Sequence, residues 1–112
     1  MLISQVFRFD SAHKLPNYNG KCKELHGHTW KLIVTLEGEV KENGMILDFH
    51  DIKKNINEKV INKLDHKYLN DIIENPTTEN ILIWTRDQLK DLKELKRLKL
   101  FETENSFAEL VL

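Results

Sequence analysis

The hydrophobic pattern of this 112-residue chain changes period twice, and the order of those changes restricts its fold more than any other feature. From Leu2 to His13, Ile3, Phe7 and Phe9 share one parity while Ser4, Val6 and Arg8 take the other, the alternation of a strand with one buried face. His26 to Val40 repeats it, with Trp30, Leu32, Val34 and Leu36 on one side and Lys31, Thr35 and Glu37 on the other. The period then becomes helical. Phe49, Ile52, Ile56, Val60 and Leu64 fall three or four apart and predict a helix from about Asp48, its cap, to Leu64. A second helix begins after Pro76, with Thr77 or Thr78 as N-cap, and runs through Ile81, Trp84 and Leu89 to about Leu92. Alternation returns in Leu98 to Thr103 and Ser106 to Leu112, around a turn at Glu104-Asn105. Residues 14–24, with Pro16 and Gly20, read as a loop, and Asn43-Gly44 reads as a turn.

The order ββααββ, with strands segregated from helices, predicts an α+β fold with an antiparallel sheet and two helices on one face. The other face is left for something else to bury, and a second subunit suits that role. Residues 1–112 form one domain by length. A domain this small keeps a large share of its surface exposed, so oligomerisation is a natural way to bury more. With 17 basic and 18 acidic residues the net charge is −1, which gives no footprint for nucleic acid or an acidic membrane. No segment approaches the ~20 apolar residues that span a bilayer, and the N-terminus lacks a basic stretch followed by an apolar run. The single cysteine, Cys22, rules out an intramolecular disulfide and fits a reducing compartment. A cytoplasmic protein is expected.

Five histidines stand at positions 13, 26, 28, 50 and 66. In His26-Gly27-His28 the two imidazoles are two residues apart on a strand and therefore project from one face. Gly27 between them is expected to let a neighbouring group approach the backbone closely. His13 ends the preceding strand, where antiparallel pairing brings it beside them. Three neutral imidazoles form the protein part of a catalytic zinc site with an open position. The same spacing also fits polar residues on a sheet surface. His50, near a helix start without partners, reads as a surface histidine.

Two stretches, Phe9-Asp10-Ser11-Ala12-His13 and Cys22-Lys23-Glu24-Leu25-His26-Gly27-His28, resemble the signature of the 6-pyruvoyl-tetrahydropterin synthase family. Gly44-Met45-Ile46-Leu47-Asp48-Phe49, Leu64-Asp65-His66-Lys67-Tyr68-Leu69-Asn70, Pro76-Thr77-Thr78-Glu79-Asn80 and Phe101-Glu102-Thr103 resemble further blocks of the family, in the same order and over nearly the whole chain. The resemblance implies the tunnelling fold (T-fold), a four-stranded antiparallel sheet with two helices on one face. In that fold three subunits close their sheets into a barrel, and two trimers stack as a homohexamer.

The resemblance also implies a chemistry. The family acts on 7,8-dihydroneopterin triphosphate with Zn2+ held by residues matching His13, His26 and His28. Cys22 matches the general base, and Asp65 and His66 match the pair that assists proton transfer. Glu102 matches the glutamate that anchors the pterin ring, with Thr77, Thr78 and Glu79 beside it. Taken alone, Cys22 also reads as an idle loop thiol, Asp65-His66 as a helix terminus, and Glu79 as a first-turn acid. The cysteine precedes His26 by four residues in a compact chain, which resembles the branch forming 6-carboxytetrahydropterin, with loss of acetaldehyde and triphosphate, on the route to queuosine and other 7-deazaguanines. The branch forming 6-pyruvoyl-tetrahydropterin is the alternative, because Glu102-Thr103-Glu104-Asn105-Ser106 matches neither pattern cleanly. An aldolase-like branch with glutamate in place of the cysteine ranks last, since Glu24 is one residue out of register. A zinc- or pterin-binding module without catalysis would be expected to lack Cys22, Asp65 or His66.

Overall fold

A computed structural model of the chain describes residues 1–16, 19–20 and 24–112. Strands β1 (Leu2–His13) and β2 (His26–Glu37) pair antiparallel over their full length, from Leu2 opposite Glu37 to His13 opposite His26. β2 stops short of the expected Val40; Gly38, where a side chain's Cβ would lie 2.8 Å from Ile46, exchanges backbone hydrogen bonds with Met1 at 3.1 Å just past the strand's end. The Asn43-Gly44 turn follows, with Gly44 at φ +83°, a left-handed conformation open to glycine.

Helix α1 runs from Phe49–Ile56 through a π-helical turn, Asn57–Ile61, into Asn62–Leu64. Its cap is Asp48, whose carboxylate accepts the His50 N–H at 2.8 Å. The wider π turn brings the consecutive residues Val60 and Ile61 both into the core. Helix α2 (Thr78–Gln88) is capped by the Thr77 hydroxyl, which accepts the Asn80 N–H at 3.1 Å. α2 ends before the expected Leu92. Beyond it, N–H groups of Leu92 and Leu95 bond back to the carbonyls of Leu89 and Leu92, tight turns that direct all three leucines toward the core.

Strand β3 (Lys67–Tyr68) joins the edge of β1, and β4 (Leu95–Thr103) and β5 (Ser106–Val111) complete a five-stranded sheet of order β3-β1-β2-β4-β5. The four long strands are antiparallel, as expected. The fifth is a correction: two residues pair parallel with Ser11 and Ala12, too short a stretch to show periodicity. β4 also starts earlier than Leu98, because Leu95 and Arg97 continue the pairing with β2 across a bulge.

The sheet's inner face (Phe7, Phe9, Trp30, Leu32, Val34, Leu36, Leu98 and Leu100) packs on Ile52, Ile56, Val60 and Leu64 of α1 and Ile81 of α2. Each such side chain contributes about 1.5–3 kcal/mol on burial. The outer face mixes charged and apolar residues. One cross-strand row reads Arg8, Lys31, Phe101, Phe107 and the next Val6, Ile33, Lys99, Glu109. Thr35 alone of the outer residues of β2 is fully buried, its hydroxyl 2.8 Å from that of Ser4. No helix among the described residues is long and apolar enough to cross a membrane.

Candidate functional site

The register of β1 and β2 sets His13 opposite His26 and Ser11 opposite His28, at the end of the sheet's inner face. All three imidazoles lie mutually edge-on, with ring centres 4.5–5.2 Å apart. Trp30, two residues beyond His28 on the same parity, floors the group. Its ring meets those of His13 and His28 edge-on at 5.1 and 5.2 Å, and its indole N–H donates to the Ser11 carbonyl.

The hydrogen bonds around these rings determine where their lone pairs point. His13 Nδ1 lies 2.8 Å from the Pro76 carbonyl, and His26 Nδ1 lies 2.7 Å from the Glu24 carbonyl. A carbonyl only accepts, so each Nδ1 carries the proton and each neutral ring turns a bare Nε2 inward. Those two Nε2 atoms are 2.9 Å apart, and His28 Nε2 is buried with no hydrogen-bond partner among the described residues. Two facing lone pairs repel unless a proton or a cation lies between them. Burial also holds the His13 and His28 pKa values below the ordinary imidazole value, with neighbouring rings adding to the effect, while the Pro76 bond at His13 and Glu102 at both oppose it. Neutral imidazole is the ligating form. His13, His26 and His28 are thus candidate metal-binding residues, their ligand atoms within 4.8 Å of one another.

Glu102 reaches this group from β4. It shares the inner face with Leu98 and Leu100, as its parity predicts, and its carboxylate oxygens lie 3.8 Å from His13 Nε2 and 3.9 Å from His28 Nε2. Both distances are too long for hydrogen bonds, and with the rings neutral the carboxylate is the charged group at the cluster's edge. The Thr78 hydroxyl donates to the same carboxylate at 3.5 Å. The Thr77 hydroxyl is occupied by capping, and Glu79 is exposed in the first turn of α2. Cys22 lies outside the described residues. Gly27 departs from expectation: among the described residues a Cβ there would meet the Ser11 carbonyl at 3.8 Å, an ordinary contact, and nothing closer.

Asp65 and His66 form a pair where α1 ends against β1, with Asp65 Oδ2 3.0 Å from His66 Nδ1. Asp65 Oδ1 accepts the Asp10 N–H at 2.9 Å, and that bond, followed by the one from His66, holds the carboxyl below the usual carboxylate range. The His66 N–H donates to the Asp10 carbonyl at 2.6 Å. Ser11 ties down both flanks, its hydroxyl donating to the Leu64 carbonyl and accepting the Lys67 N–H. These contacts hold His66 at φ +56°, a left-handed conformation that costs roughly 1–2 kcal/mol outside glycine. The imidazole is left largely exposed, at the rim of an open cavity of about 520 Å³ that Asp10, Gly27, His28 and Thr29 also line. A larger cavity, about 1160 Å³ along α2 and residues 89–95, contains neither the histidine cluster nor Glu102. Pro76, Trp30, Asp10 and Ser11 also help to build the site, and the sequence assigns none of them a role there: Asp10, Ser11 and Pro76 stand within the stretches that carry the resemblance, and Trp30 shares the parity of the two strand histidines.

The model of the family described as 6-pyruvoyl tetrahydropterin synthase matches residues 2–111. The chain is 46% identical over 117 residues to the 6-pyruvoyl tetrahydrobiopterin synthase of Dictyostelium discoideum, covering 88% of this chain and 87% of that one. It is 43% identical over 107 residues to the dihydroneopterin monophosphate aldolase of Pyrococcus furiosus (91% and 90%), and 39% identical over 97 residues to the 6-carboxy-5,6,7,8-tetrahydropterin synthase of a Synechocystis strain (80% and 75%). Among solved structures, the 6-pyruvoyl tetrahydropterin synthase of Caenorhabditis elegans superposes with a TM-score of 0.90 at 26% identity, over 99% of this chain and 94% of that one.

Proposed function

Because this chain belongs to the 6-pyruvoyl tetrahydropterin synthase family, we propose that it converts 7,8-dihydroneopterin triphosphate to 6-carboxy-5,6,7,8-tetrahydropterin, releasing acetaldehyde and triphosphate. The observation that carries a metal-dependent reaction is the inward-facing set of imidazole nitrogens, with Glu102 and Thr78 at its edge. The carboxy product is favoured by the four-residue interval from Cys22 to His26 and by the Synechocystis relative. On this reading the protein works in the cytoplasm, supplying queuosine or another 7-deazaguanine.

Zinc held by His13, His26 and His28 would supply Lewis acidity toward the hydroxyl groups of the substrate's side chain. The remaining roles belong to the chain. Glu102 accepts parallel N–H bonds from the amino-pyrimidine edge of the pterin, and the Thr78 hydroxyl helps to orient that carboxylate. Thr77 and Glu79 belong to the same wall, Thr77 chiefly by fixing the start of α2. Cys22 takes the proton from the side-chain carbon, its thiolate being the active form. Asp65 keeps the proton of His66 on Nδ1, so that Nε2 faces outward to take up or return one. The edge of β1 outside its two-residue pairing with β3, and the edge of β5, suit closure of three sheets into a barrel and assembly as a hexamer, with the outer face turned to the water-filled interior.

A second reading, aldol cleavage of a dihydroneopterin phosphate, is favoured by the Pyrococcus relative at 43% identity. Incubation of metal-loaded protein with dihydroneopterin triphosphate and monophosphate, with products separated by chromatography and mass spectrometry, tests both. Carboxytetrahydropterin with acetaldehyde supports the proposal. A pyruvoyl product moves the chain to that branch, and cleavage of the monophosphate alone favours the aldolase. Absence of turnover with either substrate leaves only a binding module.

A further inference from the structure

The charged outer face of the sheet is organised in a way that the chemistry above leaves unused. Lys31 and Lys99 both reach the ring of Phe101, their ammonium groups 4.1 and 5.3 Å from its centre, and Lys99 also lies 4.2 Å from the centre of Phe107. Arg8 stands directly across from Lys31 in the β1–β2 register. Like charges opposed across a strand pair are destabilising, and an acid at either position would relieve the crowding. Two of the acids that share this face lie against other cations, and the third, Asp10, is held by a neutral hydroxyl. Asp10 accepts the Thr29 hydroxyl at 2.6 Å, Glu109 pairs with Arg97 at 3.1 Å, and Glu37 lies 4.0 Å from Lys96. Among the described residues Arg8, Lys31 and Lys99 have no ion-pair partner, in a chain whose net charge is only −1. The two phenyl rings hold the lysine heads in place, so part of their ordering cost is met before any ligand arrives.

We propose that the outer face around Phe101 is a binding surface for a short phosphoanhydride chain, and that Arg8, Lys31 and Lys99 are its cations. The chain would be the triphosphate of the proposed substrate or the inorganic triphosphate that its cleavage releases. This part of the assignment rests on the proposed function. The surface itself does not, because three unpaired cations would recognise either source. Lys31 lies three residues from His28 on the same strand, on the opposite face. The surface therefore gathers polyanions near the candidate site without belonging to it.

The test is calorimetric titration of the intact, metal-loaded protein with sodium tripolyphosphate, against Lys31→Ala/Lys99→Ala and the charge-preserving Lys31→Arg/Lys99→Arg. Wild type is expected to bind and to lose affinity steeply with added salt. The alanine pair should bind at least about tenfold more weakly, and the arginine pair should stay near wild type. All three should melt alike and bind a phosphate-free pterin equally. Equal tripolyphosphate affinity in wild type and the alanine pair would overturn the proposal. So would tighter binding of a single-stranded oligonucleotide than of tripolyphosphate. Kinetics separate the two sources. A raised KM for the triphosphate substrate in the alanine pair marks the substrate's own chain, and loss of tripolyphosphate inhibition alone marks the released product. Failure of the proposed reaction would leave the titration untouched, so the two ideas fail independently.

Discussion

The three cluster histidines are alike as candidate metal ligands but unequal toward the fold, and replacing them one at a time exposes the difference. His13 is fully buried, and its Nδ1–H is the hydrogen bond recorded for the Pro76 carbonyl, just before α2. In His13→Ala that buried carbonyl loses its donor, at about 1–3 kcal/mol, and the space left by the ring adds roughly 2–3 kcal/mol more. Metal-free protein should therefore lose about 3–6 kcal/mol. At roughly 4–8 °C per kcal/mol for a domain of this size, the melting temperature falls by about 12–48 °C. His26 is only partly buried and its Nδ1 bond is exposed, so His26→Ala should cost about 1 kcal/mol. His13→Asn, whose amide can donate toward Pro76, should recover much of the loss without restoring metal binding. Thermal melts of the four proteins in chelator measure this directly. If His13→Ala melted with wild type, or His26→Ala lost more, the role given to the His13–Pro76 bond would be wrong.

Acid should weaken the metal-free fold. The folded-state pKa values of His13 and His28 lie below the unfolded value of about 6.5, so the unfolded chain binds more protons as pH falls. Stability present above about pH 6.5 is lost progressively below it, and urea midpoints at pH 7.5 and 5.5 in chelator should fall in that order. Glu102→Gln exchanges an acceptor oxygen for a donor that would face the pterin's own N–H groups. Pterin affinity by fluorescence should drop at least about a hundredfold, whereas equal affinities would remove Glu102 from the site. Cys22→Ala should keep its metal and lose most turnover. Loss of metal instead would make Cys22 a fourth ligand.

What the sequence disclosed follows from how local each signal is. Period-two and helical spacing found the four long strands and both helices, because each pattern repeats within its own segment. The same parity aligned His26 with His28 and put Glu102 on the inner face, leaving only register to bring His13 opposite His26. Interactions made by backbone atoms left no trace. Any residue could supply the carbonyls of Pro76 and Glu24 that orient two imidazoles, or the Asp10 amide that holds Asp65. β3 has two residues and no period, and the left-handed turn at His66 is imposed by β1 rather than by its own sequence. The ends of β2 and α2 were overrun because Val40 and Leu92 continue an apolar pattern beyond the last ladder or helical bond.

The central claim, that this chain is a metal-dependent pterin lyase acting through its histidine cluster, is tested most directly by returning zinc to stripped protein. Turnover of dihydroneopterin triphosphate should rise in proportion to bound zinc and level off near one ion per chain, with His26→Ala inactive at every ratio. Full turnover in stripped protein, or zinc binding that leaves the rate unchanged, would contradict it.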